Sequence, residues 1–161
     1  MDSAQQDNLR RQLARLRLAE SDMKQAAAGA RKLVGTMGRT MNDDAARALQ
    51  TGVAVCYARA FTRSKGYPML EKNKWAPSDA DQRAVHFDLL RLRNVLFAHT
   101  DETDMRRVVD AGEILGLGWN MLVEEYRPIP VEQWERVARL AAAQVLRMKQ
   151  AGDEVAARLQ E

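Results

Sequence analysis

Cysteine and histidine are scarce in this chain of 161 residues, which has one cysteine, Cys56, and two histidines, His86 and His99. A single cysteine excludes an internal disulfide and is typical of a reducing compartment. No group of residues has the spacing of a metal-ligand set, so the sequence predicts neither a metal site nor another cofactor. Cys56 lies on the apolar side of its predicted helix, where we expect a small core residue and not a nucleophile.

Long apolar runs are also missing from the sequence. No run approaches the ~18 apolar residues that a membrane span needs. Residues 1–7 contain no basic leader followed by an apolar core, which argues against a secretory signal. We therefore expect a cytoplasmic protein with no membrane association. The length and the 46% hydrophobic content fit one domain over residues 1–161 with a substantial core.

The net charge of +3 is too small to identify a partner, but the charges are unevenly distributed. Residues 1–75 contain 14 Lys and Arg against 7 Asp and Glu, whereas residues 76–161 contain 11 against 15. A basic half attracts phosphate groups. A solvated helical surface produces the same imbalance, so the charge alone does not decide between the two interpretations.

Two long segments repeat apolar residues with alternating spacings of four and three, which predicts helices that pack in a bundle. The first helix should span residues 4–34, with Glu20 in its one polar slot, and the glycines at 35 and 38 should end it. The last should begin at Pro130, a residue suited to a first turn, with Gly152 in its one slot that is not apolar. The two stripes are Leu9, Leu13, Leu16, Met23, Ala27, Ala30 and Val34, and Trp134, Ala138, Ala141, Val145, Met148, Val155 and Leu159.

Two shorter helices are predicted between the long ones. The second should run from Asp43 to Arg63 with Asn42 as its N-cap. The third should run from about Ser78, as part of a capping box, to His99. The core face predicted for the second helix is Ala46, Leu49, Val53, Cys56 and Ala60, with Tyr57 and Phe61 beside it.

A glycine-rich segment follows the third helix. The stretches 105–111 and 119–126 on either side of it favour a small β-hairpin. We therefore predict an all-α fold, an up-down bundle of four main helices, with this hairpin inserted after the third.

The most informative stretch is LRNVLFAHTD, residues 92–101, in which Arg93 and Asn94 precede His99 near a predicted helix end. It resembles the signature of the HEPN superfamily, small all-helical domains found in ribonucleases, toxins and phage-defence proteins. Their motif is Arg, a polar residue, a short spacer and His. The stretch YARAFTRSKG, residues 57–66, resembles the segment before the motif helix in some HEPN-like proteins. The resemblance covers roughly residues 50–101.

The resemblance implies a metal-independent endoribonuclease or RNA-binding protein of the toxin–antitoxin or phage-defence type. RNA is then the expected substrate, and an antitoxin or another protein the expected partner. The implied catalytic residues are Arg93, Asn94 and His99. Histidine suits the base that removes the ribose 2′-hydroxyl proton, arginine stabilises the charged phosphorane, and Asn94 would support them.

Structural roles remain open for the same residues. His99 could cap free carbonyls at a helix end or fill the core. Arg93 could pair with an acid nearby, at position 88, 101 or 102. The corresponding alternative function is a non-catalytic helical module that binds another protein.

The third helix has two apolar stripes, Val85, Leu89, Leu92 and Leu96, and His86, Leu90, Arg93 and Phe97. Such a helix needs two partners. HEPN proteins commonly dimerise around this helix, so the resemblance implies a homodimer through the second stripe; cover by the last helix is the alternative. On an ideal helix Arg93 and His99 point about 120° apart, which a dimer cleft or an unwound helix end would resolve.

A cluster of basic residues follows the second helix. Arg59, Arg63 and Lys65 could contact RNA phosphates, with Tyr57 stacking on a base. A basic helix end that interacts with its own dipole is the alternative interpretation.

Overall fold

A computed structural model describes residues 2–36, 43–93, 106–110, 121–125 and 130–160. Within these ranges the protein is a helical bundle, in agreement with the predicted all-α class, and it adds one pair of strands. The five helices are α1 (Ser3–Thr36), α2 (Asp43–Arg59), α3 (Lys72–Trp75), α4 (Ala80–Leu92) and α5 (Val131–Arg158), and the strands are β1 (Arg106–Asp110) and β2 (Met121–Glu125). The predicted N-cap Asn42 and the helix end at His99 lie outside the described residues.

The long helices α1 and α5 make the most extensive helix–helix contact in the described structure. Both predicted stripes lie against the core, and all of their residues are buried except Leu13, Val34, Ala138, Val145 and Leu159, which are partly buried. The periodicity therefore identified the correct faces of both helices. It could do so because each stripe is repeated over many turns, so that no single residue decides the face.

Glu20 and Gly152, the residues that interrupt these stripes, both lie beside the side chain of Arg17. The guanidinium of Arg17 lies 3.0 Å from the carboxylate of Glu20 on α1 and 2.6 Å from that of Asp153 on α5. A Cβ atom placed on Gly152 would lie 3.2 Å from the guanidinium carbon of Arg17. Gly152 thus leaves the space that Arg17 uses to cross between the helices.

Helices α1 and α2 run antiparallel, since Gly29 packs on Val53, whereas Asp22, seven residues earlier, pairs with Arg59. The contact at Gly29 is close, because a Cβ atom there would lie 2.6 Å from Cγ2 of Val53. Glycine at this position lets the two helix backbones approach.

The predicted limits and core face of α2 need correction. The helix ends at Arg59 and not at Arg63. Ala46, Leu49 and Cys56 are only partly buried. The fully or nearly fully buried residues are Gln50, Val53, Ala54, Tyr57, Ala58 and Ala60. The buried face is turned because α2 packs against α4 as well as α1.

The connection between α2 and α4 contains the short helix α3. α4 begins at Ala80, and its N-cap is Asp79, whose carboxylate accepts a hydrogen bond of 2.8 Å from the Gln82 N–H. The predicted cap at Ser78 was therefore wrong by one residue. α4 packs against α2 and α5, so it is covered from two directions.

Strands β1 and β2 pair antiparallel, with Val108 opposite Val123. They lie where the sequence predicts the two arms of a hairpin; residues 111–120 between them are outside the described residues. Among the described residues, no helix combines the length and the apolar character that crossing a membrane requires.

Candidate functional site

Of the three predicted catalytic residues, Arg93 is the one that the structure describes. It follows the last turn of α4, where its backbone N–H donates to the carbonyl oxygen of Leu89, and its side chain is half-buried. Asn94 and His99 lie outside the described residues. The structure thus gives the position where the motif begins, at the carboxyl end of α4.

The other histidine, His86, is fully buried between α4, α2 and α3. Its Nε2 lies 3.1 Å from the carbonyl oxygen of Lys72, and its Nδ1 lies 2.7 Å from the hydroxyl of Tyr57. A carbonyl oxygen only accepts, so Nε2 carries the proton and Nδ1 accepts from the Tyr57 hydroxyl. Burial lowers the pKa of His86 to about 4. His86 is therefore neutral near pH 7, with both ring nitrogens occupied.

Tyr57 was predicted to stack on an RNA base, and the structure contradicts this role. The side chain is fully buried, and its ring lies 5.7 Å from the ring of Phe61, centroid to centroid. Burial raises the pKa of the Tyr57 hydroxyl far above its usual range. No ring face is accessible to a ligand, because Tyr57 anchors α2 against α4.

The second apolar stripe of α4 is partly covered within the chain. His86 is fully buried, and Leu90 packs against the core as a partly buried residue. At these two positions the stripe is covered by residues of the same chain, so no second copy of the protein is needed to cover it. Phe97, the last member of the stripe, lies outside the described residues.

Arg59 lies at the end of α2 and forms an ion pair with Asp22 of α1, at 2.8 Å. It also lies 3.6 Å from the sulfur of Cys56. Burial raises the pKa of the Asp22 carboxyl, and Arg59 opposes this shift. Arg59 is half-exposed, but its charge already has a partner, which makes it a weaker candidate for phosphate binding than Arg63 or Lys65.

Cys56 is half-buried at the edge of the α1–α2 contact, so the predicted core position is only partly correct. Its thiol lies 3.5 Å from the side-chain oxygen of Gln25. Burial raises the pKa of the Cys56 thiol, while Arg59 acts in the opposite direction. A raised pKa lowers the thiolate fraction, which fits the expectation that Cys56 is not a nucleophile.

Arg15 of α1 is buried against the carboxyl end of α2. Its Nη2 donates to the carbonyl oxygens of Ala60 at 2.6 Å, Thr62 at 2.8 Å and Arg59 at 3.2 Å. The last carbonyls of a helix have no partner within it, and a cation there also interacts favourably with the helix dipole. Burial lowers the pKa of Arg15, and Asp22 opposes this shift; the guanidinium remains charged. Arg15 thus ends α2 and fixes the next residues on α1.

The residues that follow the segment held by Arg15 form one wall of a surface groove of about 680 Å³. We call it the Arg11 groove. It is lined by Asn8, Arg11, Arg63, Ser64, Lys65, Gly66, Tyr67 and Pro68. These residues come from α1 and from the loop after α2, and they include no carboxylate. Two predicted RNA-binding residues, Arg63 and Lys65, therefore lie together on an exposed surface.

The loop wall of the Arg11 groove is a tight turn. The Tyr67 N–H donates to the carbonyl oxygen of Ser64 at 3.4 Å. Gly66 has a φ of +85°, a conformation that other residues rarely adopt. The turn leaves the residue Tyr67 38% exposed, and both Tyr67 and Lys65 line the groove.

Sequence reasoning missed Asn8, Arg11 and Tyr67. Arg11 comes one helical turn before Arg15, and Tyr67 is an aromatic residue in a Gly-Tyr-Pro loop. Those were the available signals, but neither showed that the two segments meet.

Among the described residues, no group of three or more His, Cys, Asp or Glu side chains comes together as a metal site would require. No protein-family model, curated protein or solved structure matches this chain.

Proposed function

We propose that this chain is a HEPN-like RNA-binding protein that cleaves RNA without a metal ion through Arg93, Asn94 and His99. The proposal includes the up-down arrangement of four main helices, a homodimer around Leu90, Arg93 and Phe97, and a cytoplasmic toxin–antitoxin or phage-defence setting. The motif itself supports the activity, and the basic surface at the end of α2 supports RNA as its ligand.

The state of His86 is the observation that carries the catalytic part. Both of its ring nitrogens are occupied, it is fully buried, and its pKa of about 4 keeps it neutral near pH 7. A general base needs access to its substrate and a pKa near the working pH. Of the chain's two histidines, His86 meets neither condition, so an imidazole base has to be His99.

The proposed reaction is a transfer within the RNA strand. His99 takes the proton from a ribose 2′-hydroxyl, and the 2′ oxygen attacks the adjacent phosphorus. The bond to the 5′ oxygen of the next nucleotide breaks, and that oxygen takes up a proton. Arg93 stabilises the charge on the phosphorane oxygens. The products are a 2′,3′-cyclic phosphate end and a 5′-hydroxyl end.

Cleavage of end-labelled RNA in EDTA tests this function. His99→Ala should reduce the cleavage rate by ~10²–10⁴, and Arg93→Ala should abolish cleavage, with both variants retaining helical circular dichroism. Arg91→Ala is the matched control, because Arg91 is an exposed cation two residues from Arg93 on the same helix. Wild-type protein that cuts no RNA would contradict the nuclease activity and favour the protein-interaction module.

A further inference from the structure

We propose that the Arg11 groove binds consecutive phosphates of a single-stranded RNA and that Tyr67 stacks on one of its bases. The groove's chemistry selects a phosphate chain that carries aromatic bases. That the strand is RNA rests on the function proposed above. The proposed site uses Asn8, Arg11 and Tyr67 in addition to Arg63 and Lys65, and Arg93 is not among the residues that line it.

The first argument is the pairing of charges on this surface. Arg10 pairs with Asp7 at 3.4 Å, and Arg59 pairs with Asp22 at 2.8 Å. Arg11, Arg63 and Lys65, in contrast, form no ion pair and no side-chain hydrogen bond within the part of the chain that the structure describes. Three cations that face one groove repel each other, and a bound polyanion removes this repulsion.

The second argument is the kind of donor that the groove presents. Phosphate oxygens in nucleic-acid complexes are bound by Arg and Lys and by neutral donors such as Asn and Ser. The groove contains both kinds, since Asn8 and Ser64 lie beside the three cations. Its volume of about 680 Å³ exceeds what one phosphate needs and is in the range of sites for larger ligands. A strand that places several phosphates in the groove fits these properties.

The third argument is Tyr67, an exposed residue that lines the same groove. Sequence-tolerant binding of single strands commonly combines a basic groove with an aromatic residue on which a base stacks. Tyr67 supplies that residue, whereas the buried Tyr57 does not. We therefore assign to Tyr67 the base-stacking role that the sequence predicted for Tyr57.

The groove is also held in shape before a ligand binds. Arg15 fixes residues 59–62 to α1 through three hydrogen bonds, and the turn at Gly66 fixes the position of Tyr67. A preformed site loses less conformational freedom on binding. Arg15 acts here as a positioning residue, since it is buried and does not line the groove.

The test measures binding of a fluorescent 12-nucleotide RNA by anisotropy, with every protein carrying His99→Ala so that the RNA stays intact. Arg11→Ala, Arg63→Ala and Lys65→Ala should each weaken binding, and each should reduce the slope of log K against log salt by about 0.7. Tyr67→Leu should weaken binding about tenfold, whereas Tyr67→Phe should bind like the parent, because stacking needs the ring and not the hydroxyl.

The matched control is Arg31→Ala. Arg31 is an exposed cation on the same helix as Arg11, and a separation of twenty positions places it about 30 Å away along the axis. This variant should bind RNA like the parent protein. A loss equal to that of Arg63→Ala would mean that net charge and not the groove binds the strand.

Three further results would overturn the proposed binding site: no binding of the 12-mer, unchanged binding by all four groove variants, or equal competition by uridine monophosphate and by unlabelled 12-mer. The last would indicate a site for a single nucleotide. The two proposals fail independently. Groove-dependent binding by a protein that never cuts RNA supports the groove alone, and cleavage with unaffected groove variants supports the nuclease alone.

Discussion

The guanidinium of Arg15 lies 2.6 Å from the carbonyl oxygen of Ala60, across 45 residues of sequence. This contact caps α2 with a side chain from α1, a helix that lies much earlier in the sequence. It connects the end of α2 to the surface that carries the groove, so it links the stability of the fold to the position of Arg63 and Lys65.

Replacing Arg15 should therefore affect both stability and RNA binding. Arg15→Ala removes a charged donor from three carbonyls, and we expect a loss of about 3 kcal/mol in the free energy of unfolding, measured in urea. RNA affinity should also fall, although Arg15 does not line the groove. Arg10→Ala is the control; its exposed pair with Asp7 should contribute less than ~1 kcal/mol. Unchanged RNA affinity in a folded Arg15→Ala protein would contradict the positioning role.

His86 should make stability depend on pH. Its pKa is lowered from the ordinary 6.5 to about 4 in the folded state, so between these values the unfolded chain binds more protons. The stability is fully present above pH 6.5 and declines as the pH falls toward 4. From pH 7 to pH 5, the free energy of unfolding should fall by about 2 kcal/mol.

The interval from pH 7 to pH 5 lies above the ordinary pKa of carboxyl groups, and the pKa values of Glu20 and Asp153 are lowered further. The pKa of Asp22 is raised, so histidine variants are needed to assign the decline to His86. His86→Asn should be less stable at pH 7 but should show a flatter profile. His99→Ala, which removes the other histidine, should keep the full decline. If the profile follows His99 instead, the buried state assigned to His86 is wrong.

Replacing either of two glycines by alanine should change the stability of the protein in opposite directions. Gly29→Ala places a methyl group 2.6 Å from Cγ2 of Val53, and this overpacking should cost about 1–3 kcal/mol. Gly52→Ala meets no atom within 4 Å and should stabilise α2 by up to about 1 kcal/mol, because alanine favours a helix more than glycine does. Thermal melts of the two variants compare them directly, and Val53→Ala should reduce the cost of Gly29→Ala.

Cys56 should react slowly with alkylating reagents. Burial raises the pKa of its thiol, so at pH 8 the thiolate fraction is smaller than in a free cysteine. Iodoacetamide should modify the folded protein more slowly than the urea-unfolded protein, as followed by mass spectrometry. If the folded protein reacts as fast as the unfolded one, the thiol is not buried and its pKa is not raised.

The long helices could be predicted from the sequence because each apolar stripe contains many residues. One exception in each stripe, Glu20 or Gly152, therefore does not obscure the pattern. The end of α2 could not be predicted in the same way. Residues 60–63 continue a helical pattern, but Arg15 takes the carbonyl oxygens of Ala60 and Thr62. Local propensity does not contain that long-range contact.

In the candidate site, too, some features could be predicted from the local sequence, and others depend on contacts between distant segments. The motif residue Arg93 and the loop cations Arg63 and Lys65 could be found from residue types and spacing. Tyr57, in contrast, is buried and forms a hydrogen bond with His86, 29 residues away, a contact that local spacing does not report. The groove depends on the meeting of α1 with a loop more than fifty residues later, and no periodicity along the chain reports such a meeting.

The crossing of Arg17 over Gly152 also sets the axial register of α1 and α5. Their stripes repeat every seven residues, so apolar contacts alone tolerate a slip of α5 by one repeat. A slip would place Val145 or Leu159 where Gly152 lies and would move the carboxylate of Asp153 away from the guanidinium. The guanidinium would then meet a branched apolar side chain, which is unfavourable for a charged group. One polar position thus selects a single alignment, as a polar residue does in a coiled coil.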